Sequence, residues 1–520
     1  MPIDCGLRWN TGCAGALLSL AILHPGVARA EAPLSAIDWL SQSVATPAAM
    51  TPAAPEEPAI SVDALPAEVV VSTLDGPSPD AAGLLPSQVT GLPRALWGLG
   101  RTEEIAAAIT RERSGTLPAL QSLMMTLLLA EADAPADAGG RGVLLLARID
   151  KLLAMGALDQ AEALIAASGS RAPEFFRRTF DVALLTGTED RACVTMQAAP
   201  DLAPTFPARI FCLARSGDWN AAALTLRTAQ ALGYVTEEED ALLSRFLDPD
   251  LYEGDGALPA PSRPTPLVWR MFEAVGEPLS TNALPIAFSH AELRDAAGWK
   301  AQIEAAERLA RAGAIEPNLL LGLYTERLPA ASGGVWDRVE AFQRFDSALA
   351  TGVEADIARH LPPVWQQMNG AELEVPFAAL YAERLQAVAL TGDAARLAFR
   401  IGLLSAQYER AAKARSATDV TEAFLIGIAQ GTLQGVALPD SMARAIAPAF
   451  LNPVPSAQAT ALLDQSRLGE ALLLAIDHVG RGVQGDLQGV TEGLSLLRKV
   501  GLEDAARRTA LELMLLERRG

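Results

Sequence analysis

The sequence predicts an all-α fold built from stacked helical hairpins, and three observations carry that expectation. Half of the 520 residues are hydrophobic but only 5% are aromatic, so alanine and leucine supply most of the apolar content. These residues lose little side-chain entropy in a helix. Glycine recurs ahead of a small-residue helix at Gly156, Gly187 and Gly217, at intervals of 31 and 30 residues. From Arg94 onward, segments of helical period follow one another with breaks of only a few residues.

The first thirty residues read as an export address. Arg8 precedes an uncharged stretch, Gly12 to Leu23, and Ala28-Arg29-Ala30 offers an A-x-A cleavage site, although Asp4 dilutes the positive start. Cleavage after Ala30 would start the mature chain at Glu31. The apolar run is too short to cross a bilayer. Cys13 opens this run rather than ending it, which argues against lipidation. The expected location is the periplasm.

Residues 31–44 form a short amphipathic segment, with Leu34, Ile37 and Leu40 at helical spacing and Trp39 beside them. It is either a partner-docking peptide or a cap on this chain's own helices. Residues 45–66 carry five prolines (Pro47, Pro52, Pro55, Pro58 and Pro66), which no helix sustains, so 45–93 is expected as a linker. Within it, Val69-Val70-Val71 is extended and 76–93 is a loop. Two helical arrays are expected, 94–247 and 286–520, divided by a proline-rich connection at 248–285 with a docked helix at Leu267–Val275.

In the repeat, Ile149, Phe180 and Ile210 stand seven residues before the glycines, and Leu152, Ala183 and Leu213 four before, on one helix face. Ala161, Ala192 and Ala222 stand five after, where a small side chain allows close helix approach. Pro173 and Pro204 lie seventeen beyond Gly156 and Gly187. The grammar returns at Gly352, Gly392 and Gly501, with Ala506 in the small position. Residues 145–165 (LLARIDKLLAMGALDQAEALI) and 213–229 (LARSGDWNAAALTLRTA) resemble the tetratricopeptide repeat. Its tight small position early in the first helix is held here by Ile149, Phe180 and Ile210, and the period is shorter than that family's. The resemblance implies a helical-hairpin solenoid with a concave surface for partner segments, and no catalysis of its own. A plain bundle whose glycines only mark turns is the alternative.

The remaining chemistry is sparse. Lys+Arg 42 against Asp+Glu 62 gives a net charge of −20, with pI near 4.7. Removing residues 1–30 takes away two arginines and one aspartate, leaving 40 against 61, or −21. Such a chain repels phosphate backbones, which argues against nucleic acid; the acidity favours basic partner segments, and generic solubility explains it equally well. His290, His360 and His478 are far apart and match no metal-ligand spacing. No cofactor or metal is expected. Gly480-Arg-Gly482-Val-Gln-Gly485 matches a dinucleotide-binding pattern in letters, but in helical company it reads as an interhelical turn. Glu237-Glu238-Glu239 reads as a helix start.

Cys193, on a helix expected to end near Ala198, and Cys212, on one expected to start near Phe206, would lie at similar height on antiparallel neighbours, so a disulfide is expected, with two buried free thiols as the alternative. The sequence thus points to a non-enzymatic envelope scaffold or adaptor that binds partner proteins. The alternatives are a peptidoglycan-active hydrolase or lyase, or its regulatory subunit, and a structural subunit of an envelope machine such as a flagellar motor.

Overall fold

The computed structural model describes residues 78–516. The expected export address, the amphipathic segment with Leu34, Ile37, Trp39 and Leu40, and the linker up to residue 77 lie outside the described residues. Among the described residues every regular element is helical, apart from one isolated bridge between Leu85 and Ala130. The helices run α1 (Ser87–Thr90), α2 (Thr102–Arg111), α3 (Pro118–Leu129), α4 (Val143–Ala154), α5 (Leu158–Ser168), α6 (Pro173–Thr186), α7 (Glu189–Ala198), α8 (Phe206–Arg215) and α9 (Trp219–Ala231). Next come α10 (Glu237–Leu247), α11 (Pro266–Ala274), α12 (Trp299–Arg311), α13 (Pro317–Thr325), α14 (Val335–Thr351), α15 (Glu354–Gly370) and α16 (Glu374–Gln386). The chain ends with α17 (Gly392–Leu403), α18 (Tyr408–Lys413), α19 (Val420–Gln430), α20 (Ser441–Leu451), α21 (Ala457–Asp464), α22 (Leu468–Gly482), α23 (Leu487–Lys499) and α24 (Glu503–Leu515).

The repeat columns become three hairpins, α4–α5, α6–α7 and α8–α9. Gly156, Gly187 and Gly217 take left-handed φ values of 79°, 78° and 86° at their turns, a conformation that glycine adopts without the Cβ penalty. Ile149, Phe180 and Ile210 are buried on the first helix of each pair, and Ala161, Ala192 and Ala222 on the second. Pro173 sits at the first turn of α6, where its missing N–H costs nothing, so it opens a hairpin rather than closing one. Gly392 departs from the pattern: it opens α17 instead of turning between two helices.

The described residues belong to one compact unit, but they form two apolar cores. The smaller gathers Phe180, Phe211, Leu226, Leu243 and Phe272 from α6 to α11. The larger takes in the 92–97 segment, residues of α2 to α6, Trp269 of α11, and then residues from Leu284 to Leu515. The expected boundary at 248–285 is not where the cores part. That stretch carries α11, which sends Met271 and Phe272 into the smaller core and Trp269 into the larger, while α6 is shared between them. The short helix expected at Leu267–Val275 is α11, capped by Thr265.

The larger core joins the two ends of the described chain. Helix α24 packs on α3, and α22 packs on α2 and α3. The Glu512 carboxylate, buried on α24, accepts the Ala119 N–H at 2.9 and 3.1 Å and so caps α3 from 393 residues away. Beside it, the Gly469 N–H donates to Leu96 O at 2.8 Å. A Cβ on Gly469 would stand 2.4 Å from the Trp97 ring, and one on Gly98 would stand 2.2 Å from Ser466 O. Glycine is therefore required on both sides of this joint.

The expected loop at 76–93 is stitched down over its described part. The Arg148 side chain, 1% exposed, donates to Leu128 O at 2.7 Å, Ala82 O at 2.7 Å and Ala130 O at 3.0 Å. In return the Asp80 carboxylate accepts the Leu145 N–H at 2.7 Å in the first turn of α4.

Candidate functional site: a cavity among helix C-termini

A cavity of about 540 Å³ lies where remote parts of the larger core converge. Its walls come from the 113–117 connection after α2, the C-terminal ends of α4 and α12, the turn after α15, and the turn between α22 and α23. Apart from the α2–α3 connection and Gln121 on α3, every one of these is separated from the next by long stretches of chain. The fold gathers them because the first and last helices pack together.

Arg113, Arg308 and Arg311 line this cavity, with Glu372 as the acidic member. Arg308 is half-buried and anchored: its guanidinium donates to Thr281 O at 3.0 Å and Leu284 O at 2.9 Å. Burial, with the like charge of Arg311, pulls its pKa down from the usual arginine value. Helix C-termini carry about half a negative charge each from their last carbonyls, so arginines placed among them are stabilised without a carboxylate partner. The cavity is therefore close to electrically balanced, with guanidinium groups over an apolar floor of Leu117, Met155 and Ile286. Glu372 holds φ at 55°, left-handed for a residue with a side chain. That is strain of the kind folds retain where a backbone is over-determined by its neighbours.

Lys151, one turn before this wall, is 2% exposed and donates to Thr110 O at 3.1 Å and Glu112 O at 2.5 Å. It satisfies the carbonyls at the end of α2. Burial draws its pKa down to about 8 and pushes the Glu112 carboxyl up to about 7. Lys151 is thus spent on structure, and what the cavity offers a visitor is guanidinium donors and apolar surface.

The residues singled out in the sequence are dispersed. Cys193 on α7 and Cys212 on α8 do meet, with their sulfurs at bonding distance, 1.97 Å, and their Cα atoms 5.0 Å apart. His290 lies in the 3₁₀ segment Ile286–Leu293 with Nε2 2.7 Å from Gly156 O, and burial lowers its pKa. His478 on α22 sits 3.2 Å from the Glu492 carboxylate, and His360 lies on α15. Among the described residues no three potential ligands gather as a metal site would require. Gly480 and Gly482 fall in the last turns of α22, and Gly485 turns the chain into α23, so the dinucleotide-like letters lie in a helix–turn–helix. Glu237 and Glu238 are exposed at the start of α10, while Glu239 closes a capping box with Thr236.

Sequence reasoning missed the cavity arginines, because nothing local distinguishes Arg113 or Arg308 from any helix-terminal arginine. It also missed the capping box, whose T-x-x-E signal at 236–239 was there to find. No protein family, curated protein or solved structure matches this chain.

Proposed function

We propose that this chain is an exported, non-enzymatic adaptor of the cell envelope that holds a segment of a partner protein. The observation that carries the reading is the 540 Å³ cavity, where six stretches of chain converge and three arginines sit over an apolar floor. Such a space is of the size that takes ligand-sized groups, and its arginines and apolar floor suit a short anchor from a partner. The three regular hairpins support a tetratricopeptide-like ancestry for 143–231. The A-x-A pattern at 28–30 and the cysteine pair support an oxidising, extracytoplasmic location, the periplasm.

The test is site-specific photo-crosslinking in cells. A photoreactive residue at exposed Arg113 should trap one defined envelope protein, while the same probe at exposed Leu251, remote from the cavity lining, should not. Equal trapping at both positions, or none at either, would reject the adaptor reading. Purified protein should also leave peptidoglycan intact; released muropeptides would establish the hydrolase instead. Deleting 31–44 in the same cells tells whether that segment helps capture the partner.

A further inference from the structure

The smaller core holds a second cavity of about 290 Å³. The first turns of α8, α10 and α11 open onto it, and a threonine caps each of these helices: Thr205, Thr236 and Thr265. Each hydroxyl accepts a backbone N–H at 3.2 Å, from Ala208, Glu239 and Val268 respectively. A hydroxyl that accepts in this way still has its own proton to donate. Three N-termini around one space bring roughly half a positive charge each, and an N-terminus is a natural seat for an anion. Arg263, exposed at the mouth, adds a full one.

An independent observation points to a missing ligand. Asp181 lines this cavity at 7% exposure, and its Oδ2 accepts no hydrogen bond; Arg177 Nε lies 4.0 Å away. A buried polar atom left unsatisfied costs free energy until something meets it. The other carboxylate present, Glu239, is already committed, its Oε2 accepting the Thr236 N–H at 3.0 Å. Arg177, paired with Asp181, also lines the cavity, and the rest of the wall is largely aliphatic and aromatic, including Phe180, Leu242, Leu267 and Met271.

We propose that this cavity binds a small organic carboxylate with a short aliphatic body. The charged end is read by the threonine-capped N-termini and Arg263, and the body lies against Phe180, Leu242, Leu267 and Met271. Burial pushes the Asp181 carboxyl up to about 7, so below that pH it holds a proton and donates it to the ligand. The apolar wall gives no reason to admit a bare inorganic anion.

Titration calorimetry on the full exported chain at pH 6 tests this with four probes: 4-methylpentanoate, its amide, leucine and inorganic phosphate. The carboxylate should bind, and its amide should bind at least about tenfold more weakly, because only the charged group gains from the N-termini. Arg263→Glu, an exposed change that leaves both cores intact, should weaken the carboxylate by at least about tenfold. Asp181→Asn retains a donor and should stay within a few-fold of the parent. Equal binding of acid and amide, indifference to Arg263→Glu, or no heat from any probe would overturn the proposal. Phosphate binding more tightly than the carboxylate would overturn its class. Leucine binding best, with loss in Asp181→Asn, would make the ligand a zwitterion and remove Asp181 as donor.

Discussion

At the residue scale, the most consequential side chains are the ones that are missing. Gly98 and Gly469 let the 96–100 segment lie directly on the turn before α22, and each leaves no room for a Cβ. Gly469→Ala should lower stability by roughly 1–3 kcal/mol, the usual cost of overpacking a filled site, read by chemical denaturation. Asp181 makes a different prediction. Its carboxyl titrates near 7 in the folded chain but near 4 when unfolded. Between those values the folded state holds the extra proton, so stability falls as pH rises through that window. Arg177 and Arg178 oppose this shift and Asp150 reinforces it, but burial outweighs them. Asp181→Asn should remove part of the slope in a pH series of melts, with other buried carboxyls that are also raised, among them Glu112, keeping the rest. An unchanged slope would mean that Asp181 is ionised in the folded protein at all these pH values.

At the element scale, the hairpins were readable because each is a local event. A glycine in the left-handed turn, an apolar face four and seven residues before it, and an alanine five after all lie within one short stretch of chain. The helices holding Cys193 and Cys212 end and begin at Ala198 and Phe206, where the sequence places them, and so their pairing was readable too. Reduction of that bond should cost about 3 kcal/mol on the chain-entropy account of its loop. The loss should be confined to its neighbourhood. Hydrogen exchange in reductant should quicken across α7 to α9 and leave α22 to α24 unchanged; uniform quickening would mean that the two cores melt as one. The proline-rich stretch at 248–285 misled for an equally physical reason. Proline reports that a helix cannot continue, not whether the chain leaves the core, and α11 begins with Pro266 at its first turn.

At the scale of the whole molecule, none of the decisive contacts has a local signature. The cap from Glu512 to Ala119 joins one of many glutamates to a main-chain group, and no spacing rule spans 393 residues. The 540 Å³ cavity exists only because that closure brings its walls together, so its arginines could not be grouped beforehand. Glu512→Ala should leave the Ala119 N–H without this acceptor and cost about 1–3 kcal/mol. If the adaptor reading holds, it should also loosen crosslinking at Arg113, which sits in the connection that leads into α3. A variant as stable as the parent would show that α3 finds another cap.

The same closure sets the order of assembly. Helices α2 and α3 emerge early, yet part of the surface that covers them belongs to α22 and α24. Until those arrive, Trp97, Leu120 and Met124 have no complete shelter and remain surfaces to which a holding chaperone could adhere. The chain can therefore commit to its final form only once α22 and α24 are present to close over α2 and α3.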